Sequence, residues 1–138
     1  MTDCIFCKII KGDVPSSKIY DDKAVYAFLD ISPINPGHTL IVPKRHCIDI
    51  YEMTTEEVAH VFSVAQRIAK AVVVGVQADA FNIGMNNGKA AGQIVMHAHV
   101  HVIPRFANDG HEHWHGKQYG EGQQAEVAKR IVGQLEKG

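Results

Sequence analysis

The run His97-Ala98-His99-Val100-His101 alternates imidazole side chains with small apolar ones, and this alternation constrains the fold more than any other feature of the sequence. Successive side chains of a β-strand point to opposite faces, so the three histidines would share one face and the apolar residues the other. Together with the flanking apolar residues, the pattern predicts a strand over 94–103, stopped by Pro104. Such a strand needs a hydrophobic core on one side and a polar site on the other.

A row of three imidazoles suits two kinds of chemistry. A His-x-His pair on a strand can bind zinc through both rings. Alternatively, one neutral imidazole nitrogen attacks an electrophile while its neighbours orient it and stabilise charge. Three merely solvated histidines are a third interpretation, but chance rarely produces this alternation. The spacing alone leaves the choice between the first two open.

The totals describe an ordinary globular chain. Its 138 residues are enough for one domain, spanning 1–138, whose hydrophobic core needs no disulfide or metal. The 14 Lys and Arg residues nearly balance the 15 Asp and Glu residues, and no basic run occurs, which argues against a nucleic-acid polymer as partner. The nine histidines are the one excess, and six of them cluster in 97–101 and 111–115.

The sequence also bears on location. The first residues lack the basic and apolar regions of a signal peptide, and three cysteines do not suit a disulfide framework. Polar and charged residues interrupt the longest apolar region, 58–76, so we expect no membrane span. We therefore expect a cytoplasmic protein.

Apolar periodicity predicts three helices and several strands. The clearest helix covers 55–74, with a capping box from Thr54 and Glu57 and with Gly75 as its terminator. A short N-terminal helix, capped by Asp3 or Thr2, ends at Gly12, and a last helix lies near the C-terminus. The other predicted strands are 24–29, 38–42 and 81–86, the last with one buried face. This pattern indicates an α+β fold with a largely antiparallel sheet.

The loop over 87–93 is a candidate anion site. It offers backbone N–H groups and glycines that permit close approach, and Asn86 precedes it. Gly88 and Gly92 are equally compatible with a simple hairpin turn. Beside three histidines, however, the loop becomes a candidate phosphate pocket.

The segment from Gly92-Gln93 through His97-Ala98-His99-Val100-His101 to Pro104 resembles the signature of the histidine triad (HIT) nucleotide hydrolases and transferases. The resemblance extends to 28–33, 36–46 and 4–10, and so covers roughly residues 4–106, with 107–138 as a variable C-terminal segment. It implies a HIT-like fold with a mainly antiparallel five-stranded sheet, one long helix, a short N-terminal helix and a C-terminal helix. It also implies a homodimer.

The resemblance further implies roles for individual residues. His99 would attack the α-phosphorus of a nucleotide and form a nucleotidyl-histidine that water resolves, while the carbonyl of His97 accepts from its δ nitrogen. His101 would hold phosphate oxygens together with Asn86, Gln93 and the Gly92 loop, and Asp30 would bind the ribose hydroxyls. Five residues match an apolar wall against the base, although each also fits the buried stripe of its own element: Ile5, Phe6, Ile9, Phe28 and Ile31.

Cys4 and Cys7 form a Cys-x-x-Cys pair, which is half of a zinc site. A redox pair is less favoured because no strand precedes it, and unpaired buried thiols are the other alternative. Resemblance to the branch of the family that carries this pair suggests His46 and His97 as the remaining ligands. The zinc would be structural, joining the N-terminal helix to the sheet. Cys47 could compete as a ligand, although adjacent strand residues point in opposite directions.

These features together predict a hydrolase that cleaves phosphoramidate or phosphoanhydride bonds at the 5′-phosphate of a purine nucleoside. Three alternatives stay open: a dinucleoside polyphosphate hydrolase, which the end of the motif at Arg105 resembles, a nucleotide-binding sensor or scaffold with little turnover, and a catalytic three-histidine metal site.

Ile94 departs from relatives that carry a hydroxyl residue there. The histidines around Trp114, at 111, 113 and 115, form either a solvated loop or a lid or second metal site.

Overall fold

A computed structural model describes residues 3–138, which form three helices and one five-stranded sheet. The helices are α1 (Ile5–Lys11), α2 (Thr55–Val76) and α3 (Gln123–Leu135), and the strands are β1 (Lys18–Asp21), β2 (Val25–Leu29), β3 (Thr39–Pro43), β4 (Ala80–Met85) and β5 (Val100–Arg105). The strands are ordered β1-β2-β3-β5-β4, and every neighbouring pair is antiparallel. The predicted α+β class and the five-stranded antiparallel sheet are confirmed.

Helix α2 begins at the predicted capping box. The Thr54 hydroxyl accepts from the Glu57 backbone N–H at 3.1 Å, and the Glu57 carboxylate accepts from the Thr54 N–H at 2.8 Å. The expected end at Gly75 is wrong, because the helix runs on to Val76 and ends where Gln77 adopts a left-handed conformation with φ 57°. By length and composition alone α2 could span a membrane, but its apolar stripe packs on the sheet.

The two faces of the sheet carry two apolar clusters. The larger cluster lies under α2, and its members include Val61, Val64, Ile68, Ile41, Val100 and Val102. The smaller one lies under α1 and consists of Phe6, Ile9, Tyr26, Phe28, Leu40 and Val42. Because the histidines alternate with core residues of the larger cluster, they lie on the α1 side of the sheet.

Helix α1 starts differently from the prediction. Cys4 is the N-cap, and its sulfur accepts from the backbone N–H of Cys7 at 3.4 Å, in place of a cap by Asp3. Thr2, the other predicted cap, lies outside the described residues. The helix ends at Gly12 as predicted, in a left-handed conformation with φ 88°.

The strand predictions need three corrections. Strand β5 begins at Val100 rather than at 94 and includes Pro104, so His97 and His99 precede it. Strand β4 has no buried face, since five of its six residues are exposed and Met85 is half-buried. Strand β1 was not predicted, because its residues are largely exposed and show no apolar alternation.

Candidate active site and metal centre

The segment 97–99 leads into β5 without pairing as a strand, which leaves the carbonyl of His97 available to the next histidine. Nδ1 of His99 lies 2.7 Å from this oxygen. A carbonyl oxygen only accepts, so Nδ1 carries the hydrogen and Nε2 of His99 carries a lone pair. The ring is buried and lines a cavity of about 420 Å³. The backbone of His97 therefore fixes both the tautomer and the orientation of the His99 ring.

His101 is oriented by a second histidine that the sequence prediction did not place in the site. The backbone N–H of Ile34 donates to Nδ1 of His38 at 3.1 Å, and Nε2 of His38 then donates to Nδ1 of His101 at 2.8 Å. This leaves the hydrogen of His101 on Nε2, which is buried and has no partner among residues 3–138. An unsatisfied buried donor is costly, so this N–H is prepared for an acceptor in the cavity.

His38 was missed because its partner lies 63 residues away in the sequence. The only available signal was its position in the segment 36–46 that resembles the family. No local periodicity reports a contact of this kind.

Burial lowers the pKa of each imidazole in this group. For His97 and His101 the pKa falls to about 4. Burial also lowers the pKa of His38 and of His99, while in His99 the hydrogen bond to the His97 carbonyl and the charge of Asp30 oppose it. The imidazoles are therefore neutral near pH 7, as a nitrogen nucleophile must be.

The five predicted wall residues all line the cavity that contains His99 and His101. Phe6, Ile9 and Phe28 are buried in the apolar cluster under α1. Ile5 is 41% exposed and Ile31 is 96% exposed, so these two form the rim. The wall is thus an apolar surface that is buried on one side and open to solvent at its rim, which suits a flat aromatic ring.

Asp30 follows β2 and lines the same cavity. One carboxylate oxygen accepts from the backbone N–H of Ser32 at 2.8 Å, and the other lies 3.7 Å from Nε2 of His38. Its position at the cavity wall leaves the carboxylate able to accept further hydrogen bonds from a ligand.

The loop after β4 brings Asn86 and Gly92 to the cavity. Gly92 has φ 94°, and a Cβ there would lie 3.4 Å from the Asn86 side-chain nitrogen. The side-chain amide of Gln93 accepts from the Gly88 N–H at 2.8 Å and donates to two backbone carbonyls, of Ile48 and Val95. The amide thus fixes the loop, and its expected contact with phosphate stays a prediction.

The four predicted metal ligands, Cys4, Cys7, His46 and His97, come together beside α1, with their ligand atoms all within 4.8 Å of one another. Nδ1 of His97 lies 3.3 Å from the Cys4 sulfur and 3.6 Å from the Cys7 sulfur, and Nδ1 of His46 lies 3.5 Å from the Cys7 sulfur. In a tetrahedral zinc site a nitrogen and a sulfur ligand are about 3.6 Å apart.

The tautomer of His97 also fits a metal ligand. Its Nε2 donates to the Pro43 carbonyl at 2.8 Å, so Nδ1 faces the sulfurs with a lone pair. Cys47 does not belong to the cluster, since it is fully buried in the core under α2, as the alternation predicts. The donor set and its spacing therefore fit zinc.

The three C-terminal histidines have different surroundings. His115 is exposed beside Glu112, and Nε2 of His111 donates to the Ile34 carbonyl at 3.1 Å. His113 and Trp114 line a second cavity of about 550 Å³, which shares Asn86 and His101 with the first. Within 3–138 the three histidines do not form a metal-ligand cluster, so a wall beside the site fits better than a second metal site.

Known proteins resemble this chain in sequence and in fold. The model of the HIT domain matches residues 11–108. The "Protein hit" of Bacillus subtilis is 48% identical over 104 residues, which cover 75% of this chain and 72% of that protein. An adenosine 5′-monophosphoramidase of Saccharomyces cerevisiae is 45% identical over 102 residues, which cover 74% of this chain and 62% of the yeast protein.

Two crystal structures extend the comparison. A protein from Streptococcus mutans UA159 superposes with a TM-score of 0.92 at 43% identity, covering 98% of this chain and 87% of that one. A Zn-bound histidine triad family protein from Mycobacterium smegmatis superposes with a TM-score of 0.76 at 38% identity, covering 99% and 97%. The match to the family model, the identities to curated relatives and the shared fold lead to one conclusion: this chain belongs to the HIT family.

Proposed function

We propose that the chain is a nucleotidyl hydrolase that cleaves 5′-phosphoramidates of purine nucleosides through a covalent intermediate on His99. The observation that carries this proposal is the hydrogen bond from Nδ1 of His99 to the His97 carbonyl, 2.7 Å long, which leaves Nε2 unprotonated in a buried cavity. A neutral imidazole with a fixed lone pair is a competent nucleophile toward phosphorus.

In the first step Nε2 of His99 forms a bond to the α-phosphorus as the bond from phosphorus to the leaving amine breaks. The departing nitrogen takes a proton from solvent at the open edge of the cavity and leaves as a neutral amine. In the second step water attacks the phosphorus and gives up a proton to solvent, while the bond from phosphorus to Nε2 of His99 breaks and its electron pair returns to the ring. A nucleoside 5′-monophosphate is released. The Nε2–H of His101, buried without a partner among the described residues, donates to a phosphoryl oxygen as negative charge develops.

The rest of the cavity binds the nucleoside. The base lies against the apolar wall that Phe6 and Phe28 form and Ile31 borders. Asp30 accepts from the ribose hydroxyls, and the loop at Asn86 and Gly92 contacts the phosphate. Gly92 matters here because its φ of 94° lies in the left-handed region, where a residue with a side chain would be strained. Cys4, Cys7, His46 and His97 would hold a zinc ion, which would supply structural stability when bound.

The position of Arg105 favours a phosphoramidate over a dinucleoside polyphosphate. A polyphosphate leaving group needs free cationic side chains, and Arg105 lines the adjoining cavity that would receive it. Its guanidinium is already bound by the Asp109 carboxylate, the Asn82 side chain and the His111 carbonyl. Similarity to a named adenosine 5′-monophosphoramidase supports the same choice.

A catalytic metal site formed by the three histidines of the triad is disfavoured, because within 3–138 His97 groups with the two cysteines and His46, His101 groups with Asp30 and His38, and His99 joins neither group. In the second group the His38 and His101 nitrogens are only 2.8 Å apart. This is a hydrogen-bond length, whereas two nitrogen ligands of one zinc ion lie about 3.4 Å apart.

The test is a kinetic panel that compares an adenosine 5′-phosphoramidate with a dinucleoside tetraphosphate. We expect His99→Ala to lower kcat/KM for the phosphoramidate by at least roughly 1,000-fold. Rapid quenching of the wild type without acid, followed by mass measurement, should detect the nucleotidyl adduct. His60→Gln, an exposed position on α2, is the matched control and should keep full activity.

A fully active His99→Ala variant would refute the covalent mechanism. A wild type that binds adenosine monophosphate but turns over neither substrate would favour the sensor or scaffold alternative. Faster cleavage of the tetraphosphate would reject the proposed leaving group.

We also propose that the protein is a homodimer. Strand β4 is an edge strand whose outer side has no partner strand within the described residues, and it exposes Phe81 and Ile83. An exposed apolar edge of this kind promotes association through strand pairing.

A further inference from the structure

Helix α1 takes part in two sites at once. At its start, Cys4 and Cys7 contribute sulfur to the metal cluster, and along one side Ile5, Phe6 and Ile9 line the nucleotide cavity. The helix has only seven residues, whereas an isolated helix in water is marginal below about 12–15 residues. Its position therefore depends on what its start and this side contact.

Phe6 contacts the metal ligand and the nucleophile directly. Its ring centroid lies 5.8 Å from that of His97 and 5.1 Å from that of His99, with both pairs edge to face. It also packs on Phe28, in the wall of the cavity, at 5.4 Å. One side chain thus joins the metal cluster, the reacting histidine and the surface for the base.

The backbone of His97 provides a second connection. The side chain of His97 faces the two sulfurs through Nδ1, while its carbonyl accepts from Nδ1 of His99. A displacement of His97 would therefore disturb the hydrogen bond that sets the tautomer of His99. In the absence of metal, only weak sulfur–imidazole hydrogen bonds join Cys4 and Cys7 to the His97 ring.

From these contacts we infer that metal binding at Cys4, Cys7, His46 and His97 and nucleotide binding in the cavity reinforce each other through α1, with Phe6 as the positioning residue. The inference rests on the proposed function for the identity of the ligand as a nucleotide. The metal site then does more than stabilise the fold, since it holds the base-binding wall and the nucleophile in the arrangement that a nucleotide needs. Coupling between two sites is reciprocal, so nucleotide must raise metal affinity by the same factor by which metal raises nucleotide affinity.

This reciprocity provides a test that does not depend on turnover. Adenosine monophosphate affinity is measured by calorimetry on the full chain, before and after removal of metal with a chelator and after reloading with zinc. Zinc affinity is measured by competition with a chromophoric chelator, with and without saturating adenosine monophosphate. We expect the same factor in both directions, within the roughly 5- to 150-fold range that is typical of coupled sites.

Two matched variants locate the coupling. Phe6→Leu keeps an apolar wall but removes the ring that contacts His97 and His99, so the coupling factor should fall toward one while zinc still binds. Phe28→Leu changes the same wall at a residue outside α1. It should weaken nucleotide binding while the coupling factor stays near the wild-type value.

The outcomes are distinct. Equal nucleotide affinity with and without zinc would overturn the coupling while leaving His99 as the nucleophile, and no nucleotide binding in either form would reject the proposed function itself. If chelation unfolds the whole chain, as far-ultraviolet circular dichroism would show, the coupling arises from global folding. In that case Phe6→Leu and Phe28→Leu would both keep the wild-type coupling factor, and the role of Phe6 would be refuted.

Discussion

The protons of the buried histidines lie on nitrogens that neighbouring groups select. The carbonyl groups of Pro43 and His97 each accept from one imidazole N–H. The Ile34 N–H donates to Nδ1 of His38, so Nε2 of His38 carries the hydrogen and donates to His101. The result differs for each ring of the triad: His97 faces the metal cluster, His99 keeps a lone pair, and His101 keeps a buried donor. Neighbouring groups thus place three equal side chains in three different hydrogen-bonding states.

The division of labour could be only partly predicted at this scale. Alternation in the sequence correctly separated the histidines from Ala98 and Val100, because that pattern depends on local geometry alone. The His99 tautomer was expected from the family resemblance, and its bond to the His97 carbonyl agrees with it. The tautomers of His97 and His101 could not be predicted, since they depend on the Pro43 carbonyl, 54 residues away, and on His38, 63 residues away. Gln93 shows the same limit, because its partners come from the folded loop rather than from the motif.

The pH dependence of activity tests the state of His99. Burial lowers the pKa of His99 below the usual imidazole value of 6.5, so the nucleophile stays neutral as the pH falls toward that value. We expect the acid limb of a plot of kcat/KM against pH to have its midpoint below 6.5, measured with an adenosine 5′-phosphoramidate.

The variant Asp30→Asn tests the direction in which charge moves the pKa of His99. The charge of Asp30 raises the pKa of His99, so its removal should move the acid midpoint further down while KM rises through loss of ribose binding. A wild-type midpoint at or above 6.5 would mean that the imidazole is solvated and would contradict the buried tautomer.

Among the elements, helix α2 was the best predicted and strand β5 the most displaced, for physical reasons. The Thr54–Glu57 capping box is a contact between residues three apart, so the start of α2 can be read locally. The start of β5 depends on pairing with β3, which ends at Pro43 where its carbonyl accepts from the His97 ring. The ring bonds at 97–99 replace ladder pairing, so the strand shortens to begin at Val100.

A glycine substitution tests where α2 ends. Gly75 lies inside the helix, and a Cβ there would meet no atom within 4 Å. Because glycine in a helix interior costs stability relative to alanine, Gly75→Ala should raise the free energy of unfolding by about 0.5–1 kcal/mol. Urea unfolding monitored by circular dichroism measures this change.

The matched control is Gly37→Ala. Gly37 has φ 103°, and a Cβ there would lie 3.0 Å from a methyl carbon of Val76, so this substitution should lower the free energy of unfolding. If Gly75→Ala instead destabilised the protein, the residue would be acting as a terminator in a left-handed conformation, and the helix would end earlier than Val76.

For the whole molecule, the sheet leaves two edges, β1 and β4, that differ in what they offer a second copy. Strand β1 is four residues long and its register with β2 is irregular, which makes it a poor template for pairing. Strand β4 is six residues long and regularly paired with β5 on its inner side. An edge strand that pairs with a second copy of the chain would be exposed in a single copy, as β4 is.

The two edges provide a matched pair of substitutions. Ile83 on β4 is 39% exposed and Ile19 on β1 is 44% exposed, so a lysine at either position changes the surface of the chain to a similar degree. Sedimentation velocity should find the wild type and Ile19→Lys at twice the chain mass, and Ile83→Lys at the mass of one chain, because a charge at the centre of a paired edge opposes association.

Circular dichroism spectra of both variants should match the wild type, since neither position lies in the core. A monomeric wild type would contradict the dimer itself, whereas a dimeric Ile83→Lys variant would move the interface away from β4. If Ile83→Lys is monomeric and still active, each chain carries a complete site. Lost activity with intact folding would mean instead that the site needs the cavity beside His101 and Asn86, which Ile83 itself lines and which a second copy at β4 would adjoin.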